Sequence, residues 1–262
     1  MELRIIIVLI LSFAIYLISN MAYGARIAGV EVRQISLSLS IFNILALLSR
    51  TANMFQIPLL AKMVDNNATV DLLSYIRLIL LIGIITTIFS IILLPTWIHL
   101  FKKGIKKFKD LGSMPKLMLY GVVNTHKIFL KENIIIPSFL KYDKNSFKDI
   151  PKKVLLLNIF ATTFGSVGFL SALYAAALFP ELRTTCMTLS PLINGISTII
   201  LFIMVDPIIA RLSDDTLNGE ISLEYFKKIN IMMMVSTVFG IFLGQFAVVP
   251  AAHLIGLIAN II

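Results

Sequence analysis

Charge is scarce in this chain. Only 14% of its 262 residues are Asp, Glu, Lys or Arg, against about 25% in an ordinary globular protein, while 58% are hydrophobic. A mean hydropathy of +0.93 is too apolar to hide inside one soluble core of this size. Cysteine is almost missing: Cys186 alone excludes an internal disulfide and any Cys-based metal site. No Gly-x-x-x-x-Gly-Lys-Ser/Thr stretch occurs, so nothing points to ATP hydrolysis. No His–acid pair has metal-ligand spacing, and no Ser-His-Asp set stands out. The chain reads as a non-enzyme without cofactor or metal.

What is present is long apolar runs. Six of them, at about 4–24, 35–61, 76–101, 154–178, 187–210 and 229–260, can each cross ~30 Å of hydrocarbon at ~1.5 Å per residue. The expected fold class is all-α, a polytopic membrane protein with six transmembrane helices. Arg4 before the first run and Ala22-Tyr23-Gly24 after it also fit a signal peptide, a reading that the repeat described below disfavours.

The connections divide by charge. Arg26 and Arg33 join spans one and two, a segment of 13 lysines and four acids (102–153) joins spans three and four, and Arg211, Lys227 and Lys228 join spans five and six. That side holds 18 basic residues; the other holds Arg4, Lys62, Arg77 and Arg183. Basic loops resist translocation, so the 18 are expected in the cytoplasm and both termini outside. Segment 102–153 interleaves its lysines with Phe101, Phe108, Leu117, Tyr120, Ile128 and Phe129. This pattern suits amphipathic helices in the headgroup plane, in contact with anionic membrane lipids, and not a nucleic-acid partner.

The two halves match at an offset near 150. Glu31-Val32-Arg33 opens span two and Glu181-Leu182-Arg183 opens span five. Pro58-Leu59-Leu60-Ala61-Lys62 closes span two; Pro207-Ile208-Ile209-Ala210-Arg211 closes span five. Tyr23 pairs with Tyr174, and Thr87, Phe89 and Ile91 pair with Thr237, Phe239 and Ile241. Each half has three spans, an odd number, so the second enters the membrane from the opposite side. Two inverted three-helix repeats are expected, 1–101 and 154–262, flanking the basic amphipathic connector 102–153. Such repeats recur in transporters, because two near-equivalent halves can expose one central site to either face. The repeat also assigns span one to the mature fold.

Arg50 stands about 15 residues into span two, within Ser49-Arg50-Thr51-Ala52-Asn53. A charge at that depth costs at least ~2.5–3.5 kcal/mol, so it is expected to face a cavity or a partner. Its counterpart near Ile199 is apolar, so symmetry does not require it. Asn43, Asn53 and Gln56 add polar groups to the same span. Pro58 and Pro207 each remove a helix hydrogen bond and are candidate bending points. Asp206, just before Pro207, reads as a helix-end acid near lysines more readily than as a protonatable coupling site; a direct pair with Arg50 would need steep tilting. Gly165, Gly168, Ala172 and Ala176, and Gly240 with Gly244, form small-residue stripes expected to make internal helix contacts.

At Leu48–Lys62, and from Asn194-Gly195 through Val205-Asp206-Pro207, the chain resembles the Amj family of lipid II flippases, the alternate to the MurJ flippases. The resemblance covers nearly the whole chain. It implies a multi-pass protein of the bacterial cytoplasmic membrane that moves undecaprenyl-pyrophosphate-linked peptidoglycan precursor from inner to outer leaflet. On that reading Arg50 would contact phosphate oxygens with Asn43, Asn53 and Gln56 beside it, while Arg26, Arg33 and Arg211 would gather substrate at the inner headgroups. The alternatives are a small-solute or ion-coupled exporter and a non-transporting membrane scaffold. Oligomeric state is left open, a homodimer included.

Overall fold

The computed structural model describes residues 2–65, 69–123, 135 and 150–262. Every regular element among them is helical: α1 (Glu2–Glu31), α2 (Ile35–Asp65), α3 (Thr69–Ile92), α4 (Leu94–Leu111), α5 (Met114–Val123), α6 (Lys152–Leu178), α7 (Arg183–Thr188), α8 (Ser190–Ile199), α9 (Asp206–Asn218) and α10 (Leu223–Ile261). A 3₁₀ turn (Pro180–Leu182) precedes α7, and a π-helical turn (Ile200–Val205) joins α8 to α9. Six spans are long and apolar enough to cross a membrane, with Pro180–Asn218 forming the fifth. The protein is a multi-pass membrane protein.

Spans five and six are longer than the hydropathy reading, Pro180–Asn218 against 187–210 and Leu223–Ile261 against 229–260, and two further boundaries differ. Span one does not stop near residue 24 but runs to Glu31. Small residues allow this: Ala25, Ala28 and Gly29 are buried, and a Cβ on Gly24 would meet Trp97 Cβ at 2.7 Å. Span three ends at Ile92 instead of continuing to 101. Pro95 cannot donate to the Ile91 carbonyl, and a separate helix, α4, starts in its first turn. α4 buries Leu94, Trp97, Ile98 and Ile105 against the bundle and leaves Lys103 and Lys106 exposed. The amphipathic segment therefore begins eight residues earlier than 102. The expectation for Ile128 and Phe129 lies outside the described residues.

The basic connections meet at one end. Glu31 Oε2 accepts from Lys102 Nζ at 2.6 Å, and Oε1 pairs with Lys227. We call this the basic face and the opposite end the terminal face. At the terminal face Val8, Leu60, Val64, Leu72 and Ile255 pack into one apolar core. At the basic face Ile150, Val154, Val205, Ile209 and Ile229 pack into another. Pro58 therefore adjoins the terminal-face core and Pro207 the basic-face core.

α1, α3, α6 and α10 form the centre of the bundle, with α2 carried on α1 and span five carried on α6. The α1–α2 seam is stapled by polar groups: Ser38 Oγ donates to the Ala25 carbonyl at 2.8 Å, Ser19 and Ser49 share a hydrogen bond of 2.6 Å, and Gln56 Nε2 donates to Ser12 Oγ at 2.7 Å. Within lipid such bonds hold helices where water offers no competing partner. The small-residue stripes lie at internal contacts. Gly240 faces Thr162, Gly244 faces Ser166, Gly165 faces Ser197 and Gly168 faces Asn194. α2 and span five do not pack along one another, and the space between them becomes the site.

Candidate functional site

A cavity of about 510 Å³ lies between these two outlying spans, in the half of the bundle nearer the basic face. α1 contributes Ser19, Tyr23 and Arg26; α2 contributes Phe42, Asn43, Ala46, Leu47 and Arg50. Asn158 of α6 and Met233 of α10 close the back, and Leu201, Phe202, Val205 and Asp206 form the span-five wall. Leu47 and Phe202 line the cavity yet are 64% and 53% exposed. The cavity thus opens sideways, through an apolar slot, to where lipid tails would lie.

The α2 side follows from helix spacing. Ser38, Ile41, Leu45, Ser49, Gln56 and Leu60 are buried, and Ser49 is bonded to both Ser19 and the Ile15 carbonyl. With Ser49 pinned to the α1 seam, Arg50 lies about 100° further round and turns away from it. Asn43, Leu47 and Arg50 recur at intervals of four and three and share the cavity stripe. Among the described residues Arg50 has no hydrogen-bond or ion-pair partner.

The span-five side runs along the π turn. Leu201 and Asp206 are five residues apart and line the same wall. Phe202 and Val205 line it with them, and an i→i+5 turn brings Leu201 and Asp206 closer in angle than the ~140° of an α-helix. Pro207, without an N–H, cannot complete the α ladder at this point.

Arg26 reaches both outlying walls from α1. Its guanidinium lies 4.7 Å from the Phe42 ring centroid on α2, and Nη2 lies 3.4 Å from Asp206 Oδ1 at the start of α9. At the back, the Asn158 amide nitrogen is within hydrogen-bonding distance of the Met233 carbonyl (3.0 Å) and Ser236 Oγ (2.7 Å), which fixes the close approach of α6 and α10.

Arg26, Asn43, Arg50 and Asp206 are brought together. Arg26 lies five residues before the end of α1 and lines the cavity wall. Among the described residues Asp206 pairs with Arg26 and with no lysine. Gln56 is buried in the α1–α2 seam, bonded to Ser12, and Asn53 is exposed on α2 outside the cavity lining. Arg33 sits in the turn after α1 with φ of 54°, exposed. Arg211 lies on the outer surface of α9, 3.7 Å from Asp215. Pro58 is inside α2, away from the cavity, and Pro207 adjoins it at the first turn of α9. Sequence reasoning passed over Ser19, Phe42 and Asn158. The signal for Asn158 was a single amide inside the apolar run Leu155–Phe160.

Two guanidinium groups in an apolar, laterally open cavity suit an anion with several acceptor oxygens and an attached hydrocarbon. Arginine's planar fork of donors matches phosphate geometry. The family model described as Amj, alternate to MurJ, matches residues 11–259. The chain is 34% identical over 245 residues to lipid II flippase Amj of Bacillus subtilis (strain 168), an alignment that covers 92% of this chain and 91% of that protein. No solved structure matches the chain. With a family model covering nearly its full length and a relative alike over nine-tenths of both sequences, this chain belongs to the Amj family.

Proposed function

We propose that this chain is a lipid II flippase, moving undecaprenyl-pyrophosphate-linked peptidoglycan precursor from the inner to the outer leaflet of the bacterial cytoplasmic membrane. It acts in cell-wall synthesis as a carrier and not as an enzyme. The observation that carries this reading is Arg50: an arginine without a partner among the described residues, midway along the 31-residue α2, facing a cavity open sideways between Leu47 and Phe202. A phosphate head can enter that slot while its prenyl tail stays in lipid. The cavity volume falls in the ordinary range for small-ligand sites and suits the pyrophosphate and adjoining sugar. A small-solute exporter would need a closed site in place of this open side.

In this reading the basic face is cytoplasmic, both termini are outside, and α4 lies on the inner leaflet with its lysines among anionic lipids. The halves 1–101 and 154–262 are inverted repeats joined by 102–153. Support comes from the matched sequence motifs, from the placing of Pro58 and Pro207 at opposite ends, and from α2 riding on α1 as span five rides on α6. An inside-negative potential favours outward movement of an anion by about 2.3 kcal/mol per charge per 100 mV, which drives export without a nucleotide site. The deciding experiment is replacement: this chain, as the only lipid II flippase in a bacterium, is expected to support growth and to deliver precursor to the outer leaflet. Failure of well-expressed protein to do either refutes the proposal.

A further inference from the structure

Among the described residues the cavity is lined by two arginines and one acid, and an anion-binding site has no obvious use for the acid. We propose that Asp206 is an exchangeable counter-ion: it holds Arg26 until the pyrophosphate of the substrate displaces it, and its withdrawal releases span five to move. This rests on the flippase reading above.

Charge balance carries the first part. The charged residues lining the cavity are Arg26, Arg50 and Asp206. A lipid-linked pyrophosphate brings one negative charge per phosphate. With Asp206 in place the anions outnumber the cations, and like charges in a site walled by apolar groups repel strongly. With Asp206 withdrawn, each arginine matches one phosphate. Geometry agrees. The Arg26–Asp206 contact is single and 3.4 Å long, looser than the ~2.7–2.9 Å of a well-made charge-assisted bond. Arg26 is also held by the Phe42 ring, so it keeps its position when the carboxylate leaves.

The fold provides the route for withdrawal. Asp206 follows directly on the π turn and lines the cavity with Leu201, Phe202 and Val205. If Ile200–Val205 adopts α geometry, Asp206 turns away from Leu201 toward the far edge of the wall and its contact with Arg26 is drawn apart. α9, which begins at Asp206, turns with it. Arg26 touches α2 through Phe42 and span five through Asp206, so breaking the ion pair uncouples the two walls. Phosphate binding thereby becomes the signal for rearrangement.

The test uses full-length protein in nanodiscs for lipid II binding and in proteoliposomes for flipping. Asp206→Asn is expected to bind lipid II more tightly, roughly fivefold for the loss of a partly solvated pair, yet to flip more slowly at saturating lipid II. Asp206→Glu restores both values, and the gain shrinks in an Arg26→Gln background. Unchanged affinity in Asp206→Asn overturns the proposal, as does weaker binding that falls together with thermal stability. Should Asp206→Asn not fold, hydrogen–deuterium exchange on the wild type decides. Lipid II must then increase exchange over 200–206, and protection or no change overturns the proposal. Wild-type protein that binds no lipid II refutes the flippase reading itself, an outcome distinct from binding that Asp206→Asn leaves unaffected.

Discussion

Lys102 Nζ lies 2.6 Å from Glu31 Oε2, and the second oxygen of the same carboxylate holds Lys227. One acid at the end of α1 thus joins the start of the basic connector to the start of α10, tying both halves together at the basic face. The Glu31 side chain is only 10% exposed, so it depends on those two ammonium groups in place of water.

Glu31→Gln removes the charge from this clamp with little change of shape. Both lysines stay partly solvated, which tempers the loss. We expect about 1–2 kcal/mol of destabilisation, read as a lower melting temperature in detergent, with wild-type behaviour restored by Glu31→Asp in part only. An unchanged melting temperature would show that the clamp adds nothing.

Arg50→Ala is expected to reach normal levels in the membrane and to abolish flipping. Removing an arginine that has no partner among the described residues leaves no buried group stranded. Arg50→Lys keeps a point charge but loses the fork of donors and should retain part of the activity. Flipping in proteoliposomes alongside thermal stability checks this. A loss of activity and stability in step would make Arg50 structural.

Gln56→Leu separates the seam from the cavity. Gln56 is 5% exposed and bonded to Ser12, so the substitution breaks a staple, while the Ser12 hydroxyl keeps its bond to the Val8 carbonyl at 2.7 Å. A net cost near 1 kcal/mol is expected, with lipid II affinity unchanged in folded protein. Weakened binding at full stability would return Gln56 to the substrate site.

Gly240→Ala should be among the most damaging single-methyl insertions. The added Cβ would lie 2.7 Å from Thr162 Cβ and 2.8 Å from the Ile159 carbonyl oxygen, and backbone cannot rotate away. About 1–3 kcal/mol is expected from overpacking. Gly104→Ala on α4, where a Cβ meets nothing within 4 Å, should be neutral or stabilising by about 0.5–1 kcal/mol. Thermal unfolding of the pair in one detergent tests the contrast.

Spans, their number and the clustering of basic connections were legible in the sequence because each is a sum over many residues. Arg50 was legible because a lone charge in an apolar run is costly wherever its helix ends up. Arg26's place in the cavity wall was not legible: the hydropathy of span one fades after residue 24, but the helix continues to Glu31, supported by contacts with α2 and α4 that no local window contains. Gln56 and Asn53 looked equivalent to Asn43 along the sequence, and only the seam with α1 distinguishes them.

The sequence by itself determined a six-span, all-helical membrane protein, its charge asymmetry and its most expensive intramembrane residue, since burial in lipid depends on composition and length. Tertiary structure alone decided that Arg26 and Asp206, 180 positions apart, would meet. That meeting requires α2 and span five to be packed on different partners, with α1 and the start of α9 brought to the space between them. Such long-range geometry depends on which helix faces close against which, and periodicity within one span carries no record of it.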